Sequence, residues 1–144
     1  MRRNFWWWVA LVLGVAILWM ALRSNEAVTR TLLPLTSSPV GEKVGTHLLI
    51  SIWGNICVFV PLGMAVALAL STYSRRWVLL WGTLAGFGLS ASVELAQLFI
   101  PSRYTDWRDL WLNTLGALLG AVAGVVLAML FPSIRISATS EPGD

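Results

Sequence analysis

The sequence predicts an all-α polytopic membrane protein, four transmembrane helices packed as a small bundle. Of its 144 residues, 57% are hydrophobic and only 12% charged, and a mean hydropathy of +0.73 does not suit a soluble domain that keeps its apolar surface inside. The apolar residues gather in four stretches, at about 5–22, 48–70, 77–100 and 110–131, each close to the roughly 20 residues that cross a bilayer as a helix. Several of the nine Trp flank those stretches, as expected of rings that settle at the membrane interface.

The first stretch follows Arg2 and Arg3 and opens with Trp6, Trp7 and Trp8. It is longer than the roughly 7 to 15 apolar residues of a cleaved leader, and it ends in Met20, Ala21, Leu22 and Arg23 without a small-x-small cleavage site. A retained helix is expected. Residues 23–47 form an extramembrane loop, in which the run from Pro34 to Pro39 excludes a continuous helix by fixing backbone angles and removing donors. Val28, Leu32, Leu33 and Leu35 are too apolar for a freely solvated linker, so this loop should lie on the membrane surface or cap the bundle.

In the second stretch Pro61 cannot donate to the carbonyl four residues earlier, and with Gly63 it should kink or loosen the helix. The single Cys57 cannot form an intramolecular disulfide, and with the single His47 it is too little for a Cys/His metal site. It is read as a small packing residue. The third stretch opens with Trp77 and Trp81 beside Arg75 and Arg76, while Trp107 and Trp111 mark the opposite interface at the start of the fourth. Gly82 and Gly86 in the third, and Gly116, Gly120 and Gly124 in the fourth, recur every four residues and so let helix backbones approach closely. Packing within one bundle is favoured for them, and a homo-oligomer interface through Gly116, Gly120 and Gly124 is the alternative. Residues 133–144 make a short polar tail.

Orientation rests on arginines and lysines. With the N-terminus inside, Arg2, Arg3, Arg75, Arg76 and Arg135 would face the cytoplasm, and Arg23, Arg30, Lys43, Arg103 and Arg108 the other side. Arg103 and Arg108 are diluted by Asp106 and Asp109, whereas the pair Arg75 and Arg76 stands alone in a short loop, so the positive-inside rule favours both termini in the cytoplasm. The net charge of +3 is spread along the chain. Nucleic acid is therefore not an expected partner, and anionic membrane lipids are.

Against this background a string of polar residues stands out: Glu94, Gln97, Arg103, Asp106, Asp109 and Asn113. An ionisable residue at mid-bilayer costs about 2.5 to 3.5 kcal/mol on insertion scales. Helical spacing puts Ser90, Glu94 and Gln97 on one face in the last turns of the third helix. The fourth begins where the third finishes, so all of these residues share one membrane face, where Asn55, and with it His47 and Ser51 spaced four apart, also belongs. Asp106 suits an N-cap, since its carboxylate can accept from unpaired amides at a positive helix end.

The residues from Asn55 to Gly63, followed by Glu94, Gln97, Arg103, Asp106, Asp109, the run from Asn113 to Gly116, and Gly120, resemble the VanZ-like family of bacterial membrane proteins. The resemblance spans roughly residues 55–120. It implies a multi-pass protein of the bacterial cytoplasmic membrane, linked to the cell envelope and to tolerance of glycopeptide antibiotics such as teicoplanin. It carries over no catalytic residues.

Three readings of the polar face follow. In the first, the protein is a non-catalytic binder or modulator, with Arg103, aided by Arg108, engaging an anionic envelope lipid or glycan through paired donors, and with Glu94, Gln97, Asp106, Asp109, Asn113 and Asn55 completing the site. In the second, it is a membrane enzyme acting on a lipid-linked phosphate or glycan, with Glu94 and Asp109 as candidate catalytic carboxylates and Asp106 and Asp109 holding a hard cation such as Mg2+. In the third, the cluster is a structural polar network alone. No Ser-His-Asp order, P-loop or HExxH appears in the sequence, no cofactor or dedicated metal site is expected, and the balance leans away from an enzyme. The site is expected toward the outer face.

Overall fold

A computed structural model of the chain describes residues 3–22, 44–100 and 106–131, with the backbone alone for residues 3 and 44–51. Expectations for the loop up to residue 43, for Arg103 and for the tail lie outside the described residues, as do those for the side chains of His47 and Ser51. Four helices make up the described chain: α1 (Arg3–Ala21), α2 (Val44–Ala69), α3 (Arg75–Gln97) and α4 (Trp107–Leu130). Each is long and apolar enough to cross a membrane.

The helix ends differ from the limits of the apolar stretches by a few residues, for local reasons. α3 closes at Gln97 rather than near Ile100, because the chain tightens there: the amides of Phe99 and Ile100 donate to the carbonyls of Ala96 and Gln97 at 3.2 and 3.0 Å, an i→i−3 pattern. α4 starts three residues ahead of its apolar run because Asp106, in extended conformation, caps it by accepting from the Arg108 amide at 2.9 Å. α2 runs unbroken through Pro61, whose missing N–H leaves the Cys57 carbonyl without its in-helix donor.

α4 packs most extensively on α2 and next on α3; α1 lies against α2 and scarcely touches α3. The α2–α4 contact is built on missing side chains. A Cβ added at Gly116 would run into the Ile56 carbonyl, one at Gly120 into the Val60 carbonyl, and one at Gly63 into the Ala117 carbonyl; at Gly124 it would stand 2.8 Å from the Ala67 methyl. On the other side of α4, Gly82 and Gly86 receive the methyls of Ala121 and Ala117, both wholly buried. The glycine stripe of α4 is thus buried within a single chain. Since lipid is as apolar as the helices, this close dispersion contact, not exclusion from water, drives their association.

Phe59, Leu62, Ala65 and Val66 of α2 form the main apolar core with Ala10 and Ile17 of α1 and Ala117 of α4. Trp8, Val12, Val15 and Trp19 of α1 and Trp107 and Trp111 of α4 point outward, as lipid-facing and interfacial residues do. Cys57 is exposed, which corrects its reading as a packing residue. Ile56, one residue earlier, faces α4 with its backbone, so Cys57 lies about 100° further round the helix.

Candidate functional site

The polar residues of the third and fourth helices meet where α3 ends and α4 begins. On α3, Ser90 is wholly buried and Glu94 and Gln97 are each 9% exposed; on α4, Asn113 is 7% exposed. Their side chains tie the helices together by hydrogen bonds. Asn113 Nδ2 donates to Ser90 Oγ at 2.9 Å, joining α4 to α3. Asn55 Nδ2 donates to Asp109 Oδ1 at 2.6 Å, joining α2 to α4.

Two further bonds involve main chain. Glu94 Oε2 accepts from the Asp106 amide at 3.1 Å, so the carboxylate of α3 holds the entry to α4. Gln97 Nε2 donates to the Ala21 carbonyl at 3.1 Å, one of the last carbonyls of α1, which have no in-helix donor. All four helices are therefore joined at this one end of the bundle.

Between them lies a cavity of about 290 Å³. Its polar wall is Asn55, Glu94, Gln97, Asp109 and Asn113, and its apolar wall includes Ile17 and Met20 of α1, Val58 and Phe59 of α2, and Val93 of α3. Gly54 also borders it, and a Cβ there would meet nothing within 4 Å. Asn113 Oδ1 is buried and has no hydrogen-bond partner among the described residues. Such an orphan acceptor costs about 1 to 3 kcal/mol if nothing fills its need, and it belongs to a residue that lines the cavity.

The sequence-derived site is thus brought together in large part. Asn55, Glu94, Gln97, Asp109 and Asn113 line one cavity. Asp106 sits at its rim: its side chain is exposed and occupied as the α4 cap, and it reaches the site through its backbone amide. Arg108 is exposed beside it. No group of three or more His, Cys, Asp or Glu among the described residues is arranged to hold a metal ion. Spacing alone placed Ser90 on the right face, but not as the partner of Asn113. The Ala21 carbonyl carries no sequence signal, because every residue has one.

A bundle of helices long and apolar enough to span a membrane, joined at one end around a polar cavity, defines a multi-pass membrane protein. The chain belongs to the VanZ/LLP1 family, whose model matches residues 4–131. No curated protein and no solved structure matches it.

Proposed function

We propose that this VanZ-like protein is a non-catalytic binder or modulator of an anionic cell-envelope component in the bacterial cytoplasmic membrane, and that this binding underlies tolerance of glycopeptides such as teicoplanin. The observation that supports it is the cavity with its orphan acceptor, Asn113 Oδ1. A network serving structure alone closes its polar groups on one another; this one keeps an open space of about 290 Å³ beside an unpaired acceptor.

The walls suggest how a ligand sits. Glu94, Asp109 and Asn113 offer oxygens, which suit hydroxyl or ammonium donors on a lipid or glycan headgroup. The exposed Arg108, and Arg103 on the loop, would hold a phosphate or carboxylate at the rim. Both termini are taken as cytoplasmic and the cavity as open to the outer leaflet, on the charge asymmetry of the loops. Nothing in this arrangement requires turnover.

The test uses variants that separate binding from folding. Gly54 borders the cavity and a Cβ added there meets nothing within 4 Å, so Gly54→Leu, which adds bulk at the cavity's edge, should leave the protein inserted at normal abundance while abolishing its effect on teicoplanin susceptibility. Glu94→Gln and Asp109→Asn should do the same. Full activity in Gly54→Leu sinks the binding reading, and loss of protein in both carboxylate variants favours a purely structural network.

A further inference from the structure

The opposite end of the bundle holds a second feature, unrelated to the polar cavity. Because α1 leans on α2 and scarcely touches α3, a groove of about 710 Å³ opens between α1 and α3, walled by Trp7 on one side and Trp77, Trp81 and Leu84 on the other, over a floor of Val66 and Leu70. A groove of this size falls in the range of about 300 to 1,000 Å³ typical of ligand sites. From Trp77 to Ala85 it follows α3 for about 12 Å at the helical rise. That is close to half of a hydrocarbon core about 30 Å thick, the depth of one leaflet.

A positive charge stands beside the groove. Arg76 lines a recess with Ser74, Trp77 and Leu80, and Trp77 also lines the groove. Arg75 is exposed as well but lines a separate recess with Ala67 and Ser71 of α2 and Val125 and Ala128 of α4, and neither arginine is in an ion pair among the described residues. The first amides of α3 lack in-helix acceptors, and Ser74 places no side-chain bond on them.

We propose that the groove between α1 and α3 binds an acyl chain of an anionic phospholipid whose phosphate is held by Arg76. Space of this polarity at membrane depth takes hydrocarbon, since water would find few polar partners on its walls. The Arg76 guanidinium beside it, in no ion pair among the described residues, selects a phosphate, which it can grip through parallel donors. A phospholipid carries both parts in one molecule. Tyr73 and Trp77 line the groove at the end nearest Arg76, the placement expected of rings that settle at the membrane interface.

The experiment titrates the purified full chain in detergent with phosphatidylglycerol or phosphatidylcholine of identical acyl chains, and counts retained lipid by native mass spectrometry. Phosphatidylglycerol should be retained at least about fivefold better, the factor one arginine confers near an anionic headgroup. The variant Arg76→Gln should bring the two lipids to parity. Leu84→Trp, which narrows the groove at an exposed position, should lower retention of both. Equal retention by the unsubstituted chain, or a preference that survives Arg76→Gln, overturns the phosphate contact. Unchanged retention in Leu84→Trp overturns the acyl site.

Discussion

Asn55 and Asp109 come from helices separated by more than fifty positions in sequence and meet at 2.6 Å. In a membrane such a bond is worth about 0.6 kcal/mol on average and up to about 1.7. A double-mutant cycle of Asn55→Ala and Asp109→Ala, read by unfolding in mixed detergent micelles, should therefore return a coupling near 1 kcal/mol. Asn113→Ala should cost about 1 to 3 kcal/mol in the same assay, because it leaves the wholly buried Ser90 hydroxyl without its donor. The sequence made Ser90, Glu94 and Gln97 legible as one face because helical periodicity is local. It did not reveal that Asn113 would pair with Ser90, nor that Gln97 would find Ala21, since those pairings depend on how far each helix is turned against its neighbour.

Among the helices, α2 and α4 are held together by absence of side chains, and the glycines along them are not equivalent. Gly120→Val forces a methyl onto the Val60 carbonyl, so α2 and α4 must part; overpacking of this kind costs about 1 to 3 kcal/mol or more. Gly88→Ala, on the same scaffold, meets nothing within 4 Å and should be neutral or stabilising by up to about 1 kcal/mol through helix propensity. Thermal stability of the two variants in detergent checks the contrast. The fourfold glycine spacing was visible in the sequence, and so was its meaning as a close-contact face. Which partner that face chose was not, because the stretch of α2 that meets it, from Ile56 to Ala67, has Gly63 as its one glycine. The matching surface is created by exposed carbonyls, which no residue name records.

For the molecule as a whole, the two ends of the bundle differ in kind. One end is cross-linked by hydrogen bonds around a polar cavity; the other carries an apolar groove with Arg76 beside it. Positive charge at a short loop favours the cytoplasmic side, so in a Cys57→Ala background Arg75→Cys should react with an impermeant thiol reagent only after permeabilisation, and Arg108→Cys should react from outside. The reverse pattern would put the polar cavity on the cytoplasmic side. The four-helix architecture was predictable from composition and length alone, because hydrocarbon leaves few structures that satisfy the backbone. The groove was not, since it exists only because α1 sits on α2 and leaves α3 uncovered.

The bond from Gln97 to the Ala21 carbonyl has a genetic corollary. Its acceptor is main chain, and substitution at position 21 leaves that oxygen in place. Among homologous sequences, position 97 should then vary without any matching change at position 21, so covariation would overlook a contact that couples α1 to the site. The tether of the first helix is inherited through a single side chain, and drift at Gln97 alone is enough to release it.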